Sequence, residues 1–384
     1  MKLLALVDSP DHVCCRYRIR AFTPALNRAG WELILQPLAR GPLQRVRQLS
    51  AVGSYDAVIL QRKLLPRWQL ALLRQGAKRL IFDFDDAVLY RDSFDPRGLK
   101  SKARSVRFSA VVRAADVVIA GNDFLADCAL RSGAPAECVR MIPTCVEPGH
   151  YPPPEGLRSH RSEAESIDLV WIGSSSTLQG LEQVATLWDR IGSEIPRVRL
   201  KVICDRFPRF SKIPVVGIPW SPESEVQELS RSQIGISWMP DDLWSRGKCG
   251  LKVLQYQAAS LPVVANPVGS HLELIEAGIT GFLPSTPEAW VDSIRNLATR
   301  SGLRRRMGAI ARERVEVGYS VHAWAETFVG AISGLERNAT AISWPTPPGR
   351  PSSIPRPLLA RRPNAYQTSP ATIAIRNSTH LDLI

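Results

Sequence analysis

The sequence predicts an α/β fold built from two doubly wound domains that face a cleft. Short runs rich in Val, Ile and Leu alternate with amphipathic segments, which is the pattern of βαβ units around a parallel sheet. The alternation stops in a stretch of Pro, Gly, Ser and charged residues and then begins again, as expected when a linker joins two domains. The length of 384 residues is sufficient for two hydrophobic cores.

The predicted first domain covers residues 1–148, and residues 149–166 form the predicted linker. In chain order its strand-like and helix-like segments are KLLALVD, FTPALNRAG, DAVILQ, PRWQLALLRQG, RLIFDFDD, ADVVIAG, DFLADCALRSG and VRMIPT. Ligands of open parallel sheets bind beyond the carboxyl ends of the strands. We therefore expect the loops after these strands to line the cleft.

The second domain is predicted over residues 167–320. Its segments are IDLVWIGS, LEQVATLWDRIG, VRLKVICD, ESEVQELSRS, IGISWMP, GKCGLKVLQYQAA, LPVVANPVG, TPEAWVDSIRNLATR and GLRRRMGAIARERVE. Residues 321–337 are predicted to form a last amphipathic helix, because apolar residues recur there every three or four positions. Residues 338–384 have no such period and contain eight prolines, so we expect a disordered tail.

The composition indicates a soluble globular protein with a formal net charge of +13. Such a charge is compatible with nucleic acid, an anionic membrane or phosphate-bearing small molecules as partners. The tail accounts for +4, and the remaining excess lies in segments with apolar residues at helical spacing, which favours solvated helix faces. No nucleic-acid-binding module is recognisable, so nucleic acid is not an expected partner.

The cysteines and the N-terminus favour a cytoplasmic location. Seven scattered cysteines without a CxxC pair suggest neither a disulfide framework nor a zinc site. The opening MKLLALVDSP has an apolar run too short for a signal peptide, and no stretch approaches the roughly 20 apolar residues of a membrane span. Peripheral contact with the inner face of the cytoplasmic membrane, through the basic face of the first domain, remains an alternative.

The segment GKCGLKVLQYQAA, residues 247–259, gives the strongest indication of a binding site. Gly247 and Gly250 expose the backbone N–H groups at the start of a predicted helix, where the helix dipole attracts anions. Lys248 and Lys252 add positive charge beside them. This arrangement suits a diphosphate, although a glycine-capped helix with solvated lysines is the alternative.

The run from Gly247 to Gly281 resembles the donor-binding half of GT-B glycosyltransferases of the retaining group called family 4 or group 1. In that family a glycine turn leads into a helix read as LLEAMA, followed by a GxPVVA strand and a GxxExxxxGxxG segment. The counterparts here are LQYQAA, SLPVVAN and GSHLELIEAGITGFL. Together with GKCGLKVLQY, the upstream segments FDFDDAV, AGNDFLA and IPTCVE look like one branch of the family, and the resemblance covers about residues 1–335.

The resemblance implies a GT-B fold of two Rossmann-like domains, the first on the acceptor side and the second binding the nucleotide sugar. It implies a hexosyltransferase that moves a sugar from a nucleoside diphosphate sugar to a lipid-linked, polysaccharide or other glycan acceptor. The usual members of the family need no metal, so no cofactor is expected. A cell-envelope polysaccharide pathway is the setting that the family suggests.

The resemblance also assigns a donor site. Its residues are Gly247, Lys248, Cys249, Gly250, Leu251, Lys252, Gln255, Ser174 and Ser175. Lys248 would stabilise the charge on the departing diphosphate, Gln255 would hold the ribose, and the two serines would donate to phosphate. The paired glutamates of the family fall on Gly247 and Gln255, so neither carboxylate is present.

Carboxylates after the strand RLIFDFDD are candidates for the acceptor side. Asp85 or Asp86 would take the place of the family's histidine as a base or as a hydrogen-bond partner of a sugar hydroxyl. Helix capping is an alternative for them, and the Asp83-Phe84-Asp85 spacing leaves open a shared divalent cation.

Arginines after the first strand are a second candidate group. Arg16 or Arg18 would bind an anionic acceptor or the donor phosphates from the first domain. Packing of their stems on the first helix is the alternative.

Two other activities compete with sugar transfer. The missing glutamates also fit a catalytically degenerate protein that only binds nucleotide sugars. A dinucleotide-dependent oxidoreductase requires a GxGxxG turn after the first strand, and VDSPDHVCCR does not supply one.

Overall fold

The structure, a computed structural model, describes residues 1–151 and 166–334. Most of the predicted linker and the whole predicted tail lie outside these described residues. Within them the chain forms two six-stranded sheets, and all strand pairs in both sheets are parallel. We call residues 1–147 the first lobe and residues 166–319 the second lobe.

The first lobe has the strand order β2-β1-β3-β4-β5-β6. Its strands are β1 (Lys2–Val7), β2 (Glu32–Pro37), β3 (Ala57–Gln61), β4 (Leu80–Phe84), β5 (Val117–Ala120) and β6 (Val139–Met141). Its helices are α1 (Val13–Arg18), α2 (Thr23–Arg28), α3 (Pro42–Ser50), α4 (Arg67–Gly76), α5 (Lys102–Ala114) and α6 (Asp123–Arg131). Short 3-10 turns cover Arg20–Phe22, Ala51–Ser54, Ala136–Cys138 and Pro148–His150.

The second lobe has the strand order β12-β11-β10-β7-β8-β9. Its strands are β7 (Ile167–Ile172), β8 (Val198–Cys204), β9 (Val215–Pro219), β10 (Ile234–Ser237), β11 (Val263–Ala265) and β12 (Gly281–Phe282). Its helices are α7 (Ser175–Gln183), α8 (Ala185–Glu194), α9 (Pro222–Arg231), α10 (Leu243–Arg246), α11 (Leu251–Ala258), α12 (His271–Leu274), α13 (Pro287–Thr299) and α14 (Ser301–Gly318).

Helices cover both faces of each sheet, because alternate side chains of the buried strands point to opposite faces. In the first lobe, α3, α4, α5 and α6 pack on one face, while α1, α2 and the last helix, α15 (Val321–Ser333), pack on the other. Phe328 of α15 stacks on Phe22 with ring centroids 4.3 Å apart. The last helix therefore returns to the first lobe after the chain has formed the second.

A buried ion pair fixes α1 on the end of β4. The Arg18 guanidinium donates to Asp83 at 2.6 Å and to the carbonyl of Ile142 at 2.6 Å, and Gln61 donates to the same carboxylate. Both charged side chains are about 1% exposed. Removing one member of such a pair leaves the other charge buried without compensation, which costs far more than an exposed pair contributes.

We expect Arg18→Met to lower the stability of the protein by about 3–5 kcal/mol, because Asp83 would remain buried without its cation. Arg20→Met is the matched control, since Arg20 pairs with Asp11 while the two side chains are 53% and 87% exposed. Thermal melting followed by circular dichroism measures both variants. Equal melting temperatures for the two variants would contradict the stabilising role of the buried pair.

Candidate functional site

The loop of residues 246–250 lies beyond the carboxyl edge of the second sheet and leads into α11. Gly250 is the N-cap of α11 and has φ +67°, a conformation that favours glycine. Among the described residues, the N–H groups of Leu251 and Lys252 donate no backbone hydrogen bond, as expected for the first turn of a helix. They form the positive end of the helix dipole.

A buried hydroxyl lies beside this helix start. Ser270 Oγ is 2.9 Å from the position that a Cβ at Gly250 would occupy, and it has no hydrogen-bond partner in the described part of the chain. Ser270 is only 3% exposed. The first turn of α11 therefore combines free N–H donors with an unpartnered hydroxyl.

The same loop contacts the first lobe closely. A Cβ at Gly247 would lie 2.5 Å from the Cβ of Ala87, so a side chain cannot be accommodated there. The Asn122 amide donates to the carbonyls of Arg246 at 3.4 Å and Lys248 at 3.2 Å. The absence of the family's glutamate at Gly247 thus has a steric reason, since the backbone of the two lobes meets at this position.

Lys248 bridges the lobes through an ion pair. Its ammonium lies 3.0 Å from Asp86, which also pairs with Arg62 of the first lobe, while Arg62 lies 3.4 Å from Asp85. Burial alone would lower the pKa of Lys248, but the neighbouring Asp86 carboxylate holds it above its ordinary value. Burial would raise the pKa of Asp85, yet Arg62 and Arg18 hold it below the ordinary range. Lys248 and Asp85 are therefore charged at neutral pH.

Cys14, Asp85 and Asp86 come close enough to offer ligands to one cation. Arg62 and Lys248, however, already neutralise the two carboxylates. Asp83, the other half of the predicted carboxylate pair, is held by Arg18. The chemistry of this cluster therefore favours ion pairs over a bound metal.

Lys252 is a lysine whose pKa lies close to neutral pH. Its ammonium lies 4.3 Å from the centre of the Trp171 ring. Burial, and then the charge of Lys248, lower its pKa to about 7. Nearby His271 is neutral, because burial lowers its pKa to about 4, and its ring bonds Ser237 at 2.9 Å and the Asn266 carbonyl at 2.8 Å. An anion beside Lys252 would favour the protonated amine.

Gln255 belongs to a polar cluster centred on the buried carboxylate of Glu225. Its amide donates to Glu225 at 2.7 Å and to Tyr17 at 3.1 Å. The hydroxyls of Tyr17 and Tyr151 and the indole of Trp220 also donate to Glu225, at 2.9, 3.3 and 2.9 Å. Since Tyr17 comes from α1, this cluster is a second polar connection between the lobes.

Four residues with predicted roles lie in three other places. Ser174 and Ser175 stand where β7 ends and α7 begins; the N–H of Ser175 donates to Asp205 at 2.8 Å. Arg16 is half-buried, with its guanidinium 5.5 Å from the centre of the Trp220 ring. The guanidinium of Arg18 lies in the first-lobe core with Asp83 rather than on the cleft surface.

Sequence reasoning missed several residues that the structure brings to this region. Tertiary contacts bring four of them close to a predicted site residue: Arg62, Ser270, Glu225 and Trp171. Of these, Trp171 carried a weak signal, since it stands on the strand that precedes the predicted serine turn. Ser270 lies in the segment GSHLELIEAGITGFL, which carries part of the family resemblance, while Arg62 and Glu225 follow no recognisable spacing.

Sequence comparison finds a family match confined to the second lobe. Residues 166–300 match the family described as glycosyl transferases group 1. Among curated proteins, the alpha-1,3/1,6-mannosyltransferase ALG2 of Rhizomucor pusillus is 30% identical over 88 residues. That alignment covers 23% of this chain and 19% of the relative.

Structure comparison extends the similarity to both lobes. Sucrose-phosphate synthase from Thermosynechococcus elongatus superposes with a TM-score of 0.68 at 17% identity, covering 87% of this chain and 99% of the other. HepE of Anabaena, solved in complex with UDP and glucose, superposes with a TM-score of 0.60 at 15% identity over 87% and 100% of the two chains. The predicted fold of two Rossmann-like domains is confirmed.

We expect Gly247→Ala to weaken the contact between the lobes, because the added methyl would collide with Ala87. The φ of −80° at Gly247 suits alanine, so only the collision changes. Overpacking of this kind costs typically 1–3 kcal/mol. Small-angle scattering should show a larger radius of gyration than for the wild type.

The matched control is Gly302→Ala, where an added Cβ meets no atom within 4 Å. This variant should keep the wild-type scattering profile. A Gly247→Ala protein with an unchanged radius of gyration and melting temperature would refute the steric argument.

Proposed function

We propose that this chain is a glycosyltransferase of the group 1 type, which moves a sugar from a nucleoside diphosphate sugar to a hydroxyl of a glycan or lipid-linked acceptor. The observation that carries the proposal is the start of α11, where free N–H groups, Lys248 and Lys252 lie together at the cleft. Such a helix terminus binds phosphate through its N–H groups and its dipole. HepE, with the same fold, was solved with UDP and glucose, which supports this assignment.

Transfer requires stabilisation of the leaving diphosphate. The acceptor hydroxyl oxygen bonds to the anomeric carbon and gives its proton to an oxygen of the departing diphosphate. The bond from the anomeric carbon to the phosphate oxygen breaks, and its electron pair stays on the diphosphate. The α11 N–H groups and the two lysines would stabilise this charge as it develops. Because they supply positive charge themselves, we propose a reaction that needs no metal ion.

Carboxylates of the first lobe would replace the glutamate that the family has at the position of Gly247. Asp85 and Asp86 lie next to the loop 246–250, and Cys249 Sγ is 3.2 Å from the Asp85 carbonyl. Since Arg62 and Arg18 hold the pKa of Asp85 low, this carboxylate suits hydrogen bonding to a sugar hydroxyl better than proton abstraction. In this proposal the opposite lobe completes the sugar site.

The nucleoside would extend along α11 from the diphosphate. Gln255 lies one helical turn beyond Leu251, and its amide is bonded to Glu225. We propose that this pair holds the ribose hydroxyls, with the carboxylate supplied from α9. Trp220, bonded to the same carboxylate and 44% exposed, lies beyond it.

The remaining assignments follow from the family alone. We propose transfer of a hexose to a cell-envelope glycan in the cytoplasm. A protein that only binds nucleotide sugars is the second candidate, favoured by the absence of both glutamates at Gly247 and Gln255.

We expect the purified protein to bind one of UDP-, GDP- and dTDP-sugars in calorimetry and to hydrolyse it slowly without acceptor. Lys248→Ala should weaken binding roughly 10- to 100-fold, the range for a lost charged hydrogen bond. Lys212→Ala, which removes an exposed lysine of the same lobe, is the control. Asp86→Asn breaks the ion pair between the lobes but keeps the lysine. It therefore separates the contribution of Lys248 to the contact between the lobes from its contribution to donor binding.

Failure to bind any nucleotide sugar would refute the proposed function. Tight binding without hydrolysis or transfer would instead support the second candidate. Equal affinities for the wild type and Lys248→Ala would remove this lysine from the donor site.

The pKa of Lys252, about 7, predicts a pH-dependent donor affinity. Donor binding favours the protonated amine, so the affinity should be constant below pH 7. Above pH 7 it should fall, by at most about tenfold per pH unit, until the raised pKa of the complex is reached. UDP-glucose is a suitable probe, because its phosphates stay ionised throughout this range.

Lys252→Arg is the control for this titration, because an arginine stays charged over the whole range. Its affinity for UDP-glucose should not depend on pH between about 6 and 9. An identical pH slope in the wild type and Lys252→Arg would show that another group titrates.

A further inference from the structure

One outer face of the first lobe is strongly basic. The helices α3, α4 and α5 cover the same face of the sheet, and α4 packs against both of its neighbours. They contain eight Lys or Arg residues and no Asp or Glu. We call these three helices the basic face. By contrast, α14 of the second lobe has arginines interspersed with Glu313 and Glu316.

Little of this charge is neutralised within the described structure. Arg74 pairs with Asp116 at 2.8 Å, and we find no other carboxylate partner for the basic face in residues 1–151 and 166–334. Arg104 and Arg113 donate to backbone carbonyls, which leaves their charge uncompensated. Arg67 and Arg107 are exposed.

Each helix of the basic face also exposes one large apolar side chain near its N-terminus. Leu43 of α3 is 76% exposed, Trp68 of α4 is 56% exposed and Val106 of α5 is 37% exposed. Single exposed apolar residues are normal on a protein surface. Three on adjacent helices that contain eight basic and no acidic residues form a pattern that a solvated face does not require.

A depression of about 240 Å³ lies between α4 and α5. It has an arginine from each helix, two hydroxyls and two apolar side chains in its lining. The residues are Arg67, Ser105, Val106, Ser109, Ala110 and Arg113. Guanidinium and hydroxyl groups together are suited to phosphate oxygens.

We propose that the basic face lies on the surface of an anionic lipid bilayer. Cations are attracted to anionic headgroups, and Leu43, Trp68 and Val106 would enter the boundary between headgroups and acyl chains. The depression between α4 and α5 would receive a headgroup phosphate. A soluble polyanion would bind the same cations but would gain nothing from the three apolar side chains, so the bilayer is the favoured partner.

This orientation places the cleft close to the membrane. Helices that follow parallel strands run back along the sheet, so the N-termini of α3, α4 and α5 lie at its carboxyl edge. Asp85 and Asp86 lie at the same edge, directly after β4. No helix in the described ranges has the length and apolar character needed to cross a bilayer, so this contact is peripheral. It does not depend on the proposed transfer reaction.

The test is sedimentation of the full chain with vesicles, without nucleotide sugar. Vesicles of phosphatidylcholine alone are compared with vesicles of phosphatidylcholine and phosphatidylglycerol in about 0.1 M salt. We expect binding only to the anionic vesicles, and roughly tenfold weaker binding in about 0.5 M salt. Equal binding to both kinds of vesicle, or to neither, would overturn the proposal.

Two double variants with the same change in charge test whether the basic face is the surface that binds the vesicles. The double variant Arg67→Glu, Arg107→Glu should bind anionic vesicles at least roughly tenfold more weakly. Arg305→Glu, Arg306→Glu on α14 changes the net charge equally at exposed positions and should bind within about twofold of the wild type. Equal vesicle binding by the two double variants would overturn the proposal. It would show that another part of the chain, such as the C-terminal segment with its charge of +4, binds the vesicles.

The apolar contribution distinguishes a bilayer from a soluble polyanion. Leu43→Ser and Trp68→Ser should each weaken vesicle binding several-fold, whereas Leu272→Ser, which removes a leucine that is 56% exposed on the second lobe, should not. Circular dichroism confirms folding of each variant. Unchanged vesicle binding by Leu43→Ser and Trp68→Ser, with full competition by a soluble polyanion, would replace the bilayer with the polyanion as partner.

Discussion

The arrangement of the molecule depends on the neutralisation of the buried carboxylates at the end of β4 by positively charged side chains. Asp83, Asp85 and Asp86 follow one another at the carboxyl end of a central strand, where water is largely excluded. Buried charges require partners. Arg18 supplies one from α1 and Arg62 another from the end of β3, while Lys248 reaches Asp86 from the second lobe. The same charges thus position the first helix and connect the lobes.

This constraint explains how the site differs from the pattern of the glycosyltransferase family that the second lobe matches. At Gly247 the backbone passes so close to Ala87 that a side chain has no room, and the carboxylates in the neighbourhood belong to the first lobe. At Gln255 the amide binds Glu225, so a carboxylate is again present, although it comes from α9. Both positions that lack a glutamate have a carboxylate nearby from elsewhere in the fold. The two glutamates of the family motif are absent, but negatively charged groups from other parts of the fold lie near both positions.

Much of the fold could be predicted because its signals are local. The period of apolar residues in KLLALVD, RLIFDFDD and IDLVWIGS corresponds to the buried strands β1, β4 and β7. The glycine turn before Leu251 could be recognised for the same reason, and in the structure Gly250 has a positive φ there. Partners could not be predicted where they are far apart in the chain. Arg18 and Asp83 are 65 positions apart, and Tyr17 and Glu225 are 208 apart.

The sequence by itself determined the two α/β domains, the glycine turn before α11 and the excess of basic residues. These properties depend on periodicity, on glycine conformation and on composition, which neighbouring residues set. Only the tertiary structure decided that Arg18 is buried on Asp83, that Lys252 has a pKa near 7, and that the basic helices α3, α4 and α5 lie side by side. Electrostatic interactions depend on distance and burial in space, and the order of residues along the chain does not specify either.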